Sequence, residues 1–238
     1  KPSRGKDIEM DVQIAFKDAA FGTHQSIRLF KPSICSSCHG EGAEPGTSVK
    51  TCATCGGKGQ VRQAQRTMFG TIQSVTTCPA CHGRGKTWTE ACKKCRGSGV
   101  ERREETLEVD IPPGVSDGEA IKITGEGEAI GGGGRSGDLY LRIRIKPDPR
   151  FERQGNDVLS EISVPYSVFV LGGEIDVETL HGKTTIKIPE GTQPNTVYTL
   201  RGEGIPFLRS RGKGNHLVRV IPEVLKKISK EQRQALEE

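Results

Sequence analysis

Residues 7–22, DIEMDVQIAFKDAAFG, match residues 157–172, DVLSEISVPYSVFVLG, at a constant offset of 150. Asp7 aligns with Asp157, Val12 with Ile162, Phe16 with Tyr166 and Gly22 with Gly172. A second block repeats at an offset of 77: VDIPPG at 109–114 against IKIPEG at 186–191, then Gly125-Glu126-Gly127 against Gly202-Glu203-Gly204. The same offset holds through Gly137 and Gly214 and through Leu141-Arg142-Ile143 against Val218-Arg219-Val220. The two offsets, 150 less 77, leave about 73 extra residues in the first copy, between Phe30 and about Glu104. Within each copy apolar residues alternate, as in Ile8, Met10, Val12, Ile14 and in Leu139, Leu141, Ile143, Ile145, the period of a half-buried strand. Pro-Pro-Gly and Pro-Glu-Gly punctuate these runs as turns.

All eight cysteines fall inside the extra residues, in four motifs of identical spacing. They are CSSCHGEG (Cys35, Cys38), CATCGGKG (Cys52, Cys55), CPACHGRG (Cys78, Cys81) and CKKCRGSG (Cys92, Cys95). A two-residue gap lets both thiolates of one turn face a single tetrahedral Zn2+, and two such turns close a four-sulfur site. Eight thiolates therefore predict two zinc ions. The module leaves and re-enters one domain, so its ends must lie together. That places Cys35, Cys38, Cys92 and Cys95 around one metal and Cys52, Cys55, Cys78 and Cys81 around the other, with a hairpin turning near Phe69-Gly70 at the far end. A closed four-sulfur site has no open position for water, so the zincs are structural and no enzyme is expected. His39 and His82 follow cysteine pairs, but the thiolates already suffice as ligands.

The predicted fold is mainly β: two tandem β-sandwich-like domains, a zinc-binding β-hairpin module inserted in the first, and a short C-terminal helix. The divisions are residues 5–30 plus 104–146, the module 31–103, the second β-domain 151–222, and the helix within 223–238. Ser229 reads as that helix's N-cap with Gln232 as its capping-box partner, and Leu225, Ile228 and Leu236 as its apolar stripe. Such a stripe packs more often on its own domain than on a partner. Among 238 residues, 31 glycines, 13 prolines and only 5% aromatics agree with short strands and many turns. No apolar run nears the roughly 18–20 residues that cross a membrane, and no export leader opens the chain, so no membrane partner and a cytoplasmic location are expected. The chain begins at Lys1 without an initiator methionine, and a preceding segment is expected.

Residues 31–103 hold 12 Lys and Arg against 4 Asp and Glu, whereas the rest of the chain carries 23 against 26. A local basic patch suggests nucleic acid. Eight thiolates around two Zn2+ cancel half of that excess, and Trp88 and Phe69 are the module's only aromatics, so nucleic acid is disfavoured.

Four CxxCxGxG repeats inserted in the first of two tandem β-domains resemble the zinc-containing DnaJ co-chaperones over essentially the whole chain. The resemblance implies the same metal pairing and a function. Such proteins bind unfolded polypeptide clients and deliver them to a DnaK-type chaperone, whose ATP hydrolysis they stimulate through a J-domain carrying a His-Pro-Asp motif. That motif does not occur in this sequence, so the chain alone is not expected to stimulate ATP hydrolysis. The resemblance further implies a homodimer through the extreme C-terminus. It also implies a peptide groove on the first β-domain, where an extended client adds beside an edge strand and drops an apolar side chain into a pocket. The matching positions here are Ile8, Ile27, Leu29, Leu107 and Leu141. Two other readings compete: a zinc-dependent thiol–disulfide oxidoreductase, because CxxC is also a redox motif, and a zinc-finger nucleic-acid binder. No nucleophile elbow, P-loop or HExxH motif is present.

Overall fold

A computed structural model describes residues 4–67, 70–208 and 210–224, together with Ser229 and Gln234. In chain order the elements are β1 (Ile8–Ala15), α1 (Phe16–Phe21), β2 (Thr23–Ile34), β3 (Val49–Thr51), β4 (Gln60–Thr67), β5 (Gly70–Thr77), β6 (Lys86–Trp88) and β7 (Val100–Ile111). They continue with β8 (Ala120–Ile123), β9 (Leu139–Lys146), β10 (Glu152–Gln154), β11 (Asp157–Pro165), α2 (Tyr166–Leu171), β12 (Gly173–Thr179), β13 (Gly182–Ile188), β14 (Val197–Leu200) and β15 (His216–Glu223). The chain is mainly β, as its alternating pattern requires. The C-terminal helix predicted within 223–238, with its cap and its stripe, lies outside the described residues apart from Glu223, Val224, Ser229 and Gln234.

The sequence repeat is a structural repeat. One sheet has the order β1-β9-β8, and another has β11-β15-β14 with β10 added outside β11. At the offset of 150, α1 overlies α2 residue for residue; at 77, β8 overlies β14 and β9 overlies β15. In the second sheet β15 runs parallel to β11, from Val158↔His216 to Pro165↔Glu223, and antiparallel to β14. The alternation did not announce the two helices. Each is six residues long, too short to display a 3.6-residue period. Each ends on a glycine at positive φ, Gly22 or Gly172, whose N–H bonds back to Asp18 or Val168.

The repeat also explains where the arm enters. β12 and β13 form a hairpin whose last pair is Thr179↔Gly182, leaving Leu180 and His181 at its tip. The offsets map Phe30 onto Leu180 and Glu104 onto His181. In the first copy, β2 and β7 pair as that hairpin's counterparts, each lengthened to 12 residues, and the insertion opens their tip. A hairpin tip is where a chain can leave and return without breaking core contacts.

The chain divides into two compact units. One comprises Lys1–Met10, Ser26–Leu107 and Ala120–Leu141; the other comprises Asp11–Gln25, Glu108–Glu119 and Arg142–Glu238. In the second unit Phe16 and Ala20 pack with Phe151, Val158, Leu180 and Ile205. A separate cluster gathers Val164, Phe169, Ile188 and Val220. In both copies a matched glycine is forced by a close approach: a Cβ at Gly137 would overlap the Lys6 carbonyl oxygen, and one at Gly214 that of Asn156.

His216 occupies the position that Leu139 fills in the first copy and is fully buried. Its Nε2 lies 2.7 Å from Ser160 Oγ, the edge of Phe151 faces its ring, and Nδ1 has no partner among the described residues. Burial pushes the His216 imidazole down from its ordinary value, only partly opposed by the Glu203 carboxylate. The folded state therefore favours the neutral ring. The resulting stability is present above about pH 6.5 and is lost as pH falls through that value toward the lower folded one. Thermal melts at pH 7.5 and 5.5 should show a drop that the double variant His216→Leu with Ser160→Met, which copies Leu139 and Met10, makes smaller. An equal drop in both proteins would contradict the assignment.

Candidate functional site

The arm is a succession of short ladders and cysteine turns. β2 and β7 form its stalk, β3 pairs with β6 from Val49↔Trp88 to Thr51↔Lys86, and β4 pairs with β5 from Gln60↔Thr77 to Thr67↔Gly70. Phe69, named above at the turn, lies outside the described residues, whereas Gly70 is the first residue of β5. Between stalk and middle ladder the sulfurs of Cys35, Cys38, Cys92 and Cys95 lie within 4.8 Å of one another, and between the two outer ladders so do those of Cys52, Cys55, Cys78 and Cys81. These are the two sets of four that the insertion grouped.

The spacing suits a metal. A tetrahedral site with Zn–S bonds of about 2.3 Å puts its sulfurs about 3.8 Å apart. Here Cys35 and Cys92 are 3.9 Å apart, Cys38 and Cys95 3.6 Å, Cys52 and Cys78 3.9 Å, and Cys55 and Cys81 3.7 Å. All eight are buried and none is in a disulfide. Burial pushes the Cys38 thiol up to about 12 and that of Cys78 up to about 11. Cys52 and Cys92 are instead lowered to about 7, chiefly by the backbone N–H groups of Cys55 and Cys95. A thiol held on its proton by burial releases it when a cation supplies compensating charge.

The glycines of the motif have distinct duties. The second glycine of each motif donates its N–H to the second cysteine sulfur: Gly42 to Cys38 at 3.3 Å, Gly59 to Cys55 at 3.2 Å, Gly85 to Cys81 at 3.3 Å and Gly99 to Cys95 at 3.2 Å. The same glycines tie motifs in reciprocal pairs, since Gly99 O accepts from Cys35 N, Gly42 O from Cys92 N, Gly85 O from Cys52 N and Gly59 O from Cys78 N. The residue after each second cysteine, His39, Gly56, His82 or Arg96, has positive φ. Both histidines are exposed and outside the four-sulfur sets.

A test follows from Gly99, where φ is +78° and an added Cβ would overlap the Gly40 carbonyl oxygen. Gly133 has nearly the same φ, +79°, with open space around it. Gly99→Ala should lose the metal of the base cluster and keep the distal one, whereas Gly133→Ala carries only backbone strain of about 1 kcal/mol and should keep both. Metal analysis of the two purified variants decides; two metals in Gly99→Ala would contradict the packing.

Near the stalk, Ile27 and Leu141 are buried, while Ile8, Leu29 and Leu107 are half-buried. All five occupy the inward positions of their strands. β2 pairs with β7 alone among the described strands, and beyond that pairing its Pro32 carbonyl accepts the Ala129 N–H at 2.8 Å. The residues before Pro32 thus present an edge, and β1 is likewise the end strand of its sheet. Inward on the same strand, Lys31 is buried with its Nζ 2.6 Å from the Glu126 carboxylate, 2.8 Å from the Glu126 carbonyl and 3.3 Å from Glu105. Side-chain bonds to Arg103, Ser33 and Lys31 outweigh burial and hold Glu105 below the usual carboxylate range. Sequence reading missed this triad, although an inward lysine in period with Ile27 and Leu29 was its visible sign. It also missed Trp88, whose ring lies under the Arg84 guanidinium at 5.0 Å and within contact of a Cβ added at Gly42 or Gly97.

Two four-cysteine clusters on an arm let into a β-repeat define a β-rich module with two candidate metal sites. The chain belongs to the DnaJ C terminal domain family, whose sequence profile matches residues 5–224. Among curated relatives, the chaperone protein DnaJ of Acetivibrio thermocellus is 46% identical over 235 residues, covering 99% of this chain and 61% of the relative. The protein of the same name from Desulfitobacterium hafniense is 46% identical over 237 residues, covering 100% and 63%. That from Thermosynechococcus vestitus is 42% identical over 237 residues, covering 99% and 64%. The chain thus spans less than two thirds of the length of these relatives.

Proposed function

We propose that this chain is the client-binding and zinc-binding part of a non-enzymatic DnaJ-type co-chaperone that hands unfolded polypeptides to a DnaK-type chaperone in the cytoplasm. The observation that carries the reading is the pair of four-cysteine clusters on an arm that opens at the tip of the β2–β7 hairpin. Each cluster holds one structural Zn2+, with Cys35, Cys38, Cys92 and Cys95 around the first and Cys52, Cys55, Cys78 and Cys81 around the second. The residues hold the metal, exclude water from it and keep the arm in one shape; thiolates so occupied are poorly available for disulfide exchange.

The client adds as an extended strand along the β2 edge. Main-chain hydrogen bonds tolerate many sequences, and an apolar side chain settles among Ile8, Leu29 and Leu107 above the buried Ile27 and Leu141. Residues 5–30 plus 104–146 act as the domain that grips the client, residues 151–222 as its repeat, and the extreme C-terminus as a homodimer contact. Aggregation of a chemically denatured client, followed by light scattering, tests the reading. The zinc-loaded chain should suppress aggregation, and chelation should weaken the effect; no suppression in either condition would overturn the chaperone assignment.

A further inference from the structure

We infer that a cleft at the base of the arm, where Arg84 and Lys86 flank Trp88, takes an acidic side chain of the bound client about six residues along from its apolar anchor. The inference rests on the client reading above and adds a charge preference to it. The cleft holds about 290 Å³. Val49 and Trp88, paired across the β3–β6 ladder, form one wall; the turn at His39 and Glu41 and the loop at Gly132 and Gly133 form the others. Trp88 is closely packed: a Cβ added at Gly42 would come within 3.2 Å of its ring and one at Gly97 within 3.5 Å. The Arg84 guanidinium lies 5.0 Å from the ring centroid, and its stem runs beside Gly132, where an added Cβ would sit 3.4 Å from Cγ. Lys86 lies two residues before Trp88 on β6, so both side chains leave the same face of the strand.

Arg103 and Arg150 each hold a carboxylate, at 2.7 Å and 2.8 Å. Arg84 and Lys86 hold none among the described residues, and Glu41 in the same cleft makes no ion pair with either. A guanidinium laid on an indole keeps its N–H edges free in one plane, which matches the two oxygens of a carboxylate, and Lys86 adds a second cation. Arg84 already covers Trp88, which leaves a nucleobase little to stack on; a peptide carboxylate needs no such face. A path leads to the cleft from the client edge, within one compact unit of the chain. The loop after β8 runs from the Ala129 N–H, 2.8 Å from the Pro32 carbonyl, to the Gly132 N–H, 2.9 Å from the Gly40 carbonyl in the cleft wall. From Leu29 to Pro32 is three residues of β2, and from Ala129 to Gly132 three of the loop, so an extended client covers the route in about six residues.

Fluorescence anisotropy with two labelled unfolded peptides tests this. Both carry a single leucine anchor; one has glutamates six residues to either side, the other glutamines at the same places. At low salt the full chain should bind the glutamate peptide about fivefold more tightly. In Arg84→Gln and in Lys86→Gln that ratio should fall to about one, with affinity for the glutamine peptide unchanged, and Arg84→Lys should keep part of the preference. Lys86 is exposed on its strand, so Lys86→Gln keeps the test alive even where Arg84→Gln, beside the third cysteine motif, disturbs folding. Equal affinity of the two peptides for the unsubstituted chain, or a preference that survives in both glutamine variants, overturns the inference and leaves the client reading standing. Displacement of the glutamate peptide by inorganic phosphate but not by acetate, at equal ionic strength, overturns it by assigning the cleft to a phosphate ligand. Binding of neither peptide overturns the client reading and this inference with it.

Discussion

Cys92→Ser is expected to bind one zinc per chain instead of two, and to loosen the base of the arm while the distal cluster keeps its metal. The reason is what else the arm has to hold it. Around the base the buried cluster consists of Cys35, Cys38, Cys92 and Cys95 themselves, and around the distal site of Cys52, Cys55, Cys78 and Cys81 with Val61 packed against them. Among the described residues no buried leucine or valine stands behind the sulfurs to carry the fold when the metal leaves. Structural zinc contributes about 10–16 kcal/mol in small zinc-finger peptides, and on the proposed reading it is the main source of order for the module. A serine oxygen cannot replace the thiolate, and the freed Cys35 and Cys38 lose their partners across the stalk. Cys55→Ser should behave in the opposite sense, releasing the distal metal and sparing the base. Elemental analysis gives the count. A Cys92→Ser chain with two zincs, or variants Cys92→Ser and Cys55→Ser that each release both, would contradict two independent sites with this pairing.

The double variant Leu29→Ser with Leu107→Ser is expected to weaken binding of a denatured client about tenfold or more with a small change in thermal stability. Both side chains are half-buried on strands whose inward faces lead to the β2 edge, so their truncation removes apolar surface that a client side chain would cover. Burying one such side chain is worth about 1.5–3 kcal/mol, which converts to a factor of ten or more in affinity. Leu141 gives the contrast. It is fully buried, and Leu141→Ala should cost about 2–5 kcal/mol of folding stability, so its effect on clients would be read through a destabilised domain. Fluorescence anisotropy of a labelled unfolded peptide, with melts of each variant, separates the two roles. Unchanged affinity in the double variant would remove the pocket from these residues.

Much of this was legible before any coordinates. Constant offsets located equivalent strands, and their difference located the insertion between Phe30 and about Glu104; the structure makes that point a hairpin tip, where whole modules are tolerated while strand registers allow no slip. Chain return through that tip was enough to group the cysteines. The rest depends on packing that no period reveals. Six-residue helices leave no periodic trace, and the Lys31 ion pairs join positions 95 and 74 residues apart in sequence. His216 looks in sequence like any polar residue opening a strand, yet it fills a leucine's place in the core. The second glycine of each motif reads as a turn residue; only the structure gives it a sulfur to bond and a partner motif to touch.

The most direct test of a client strand on β2 is amide hydrogen exchange of the zinc-loaded chain with and without a saturating unfolded peptide. The account predicts added protection along β2 before Pro32 and little change in β4 and β5. Protection confined to residues 31–103, or none anywhere on β1 and β2, would contradict it.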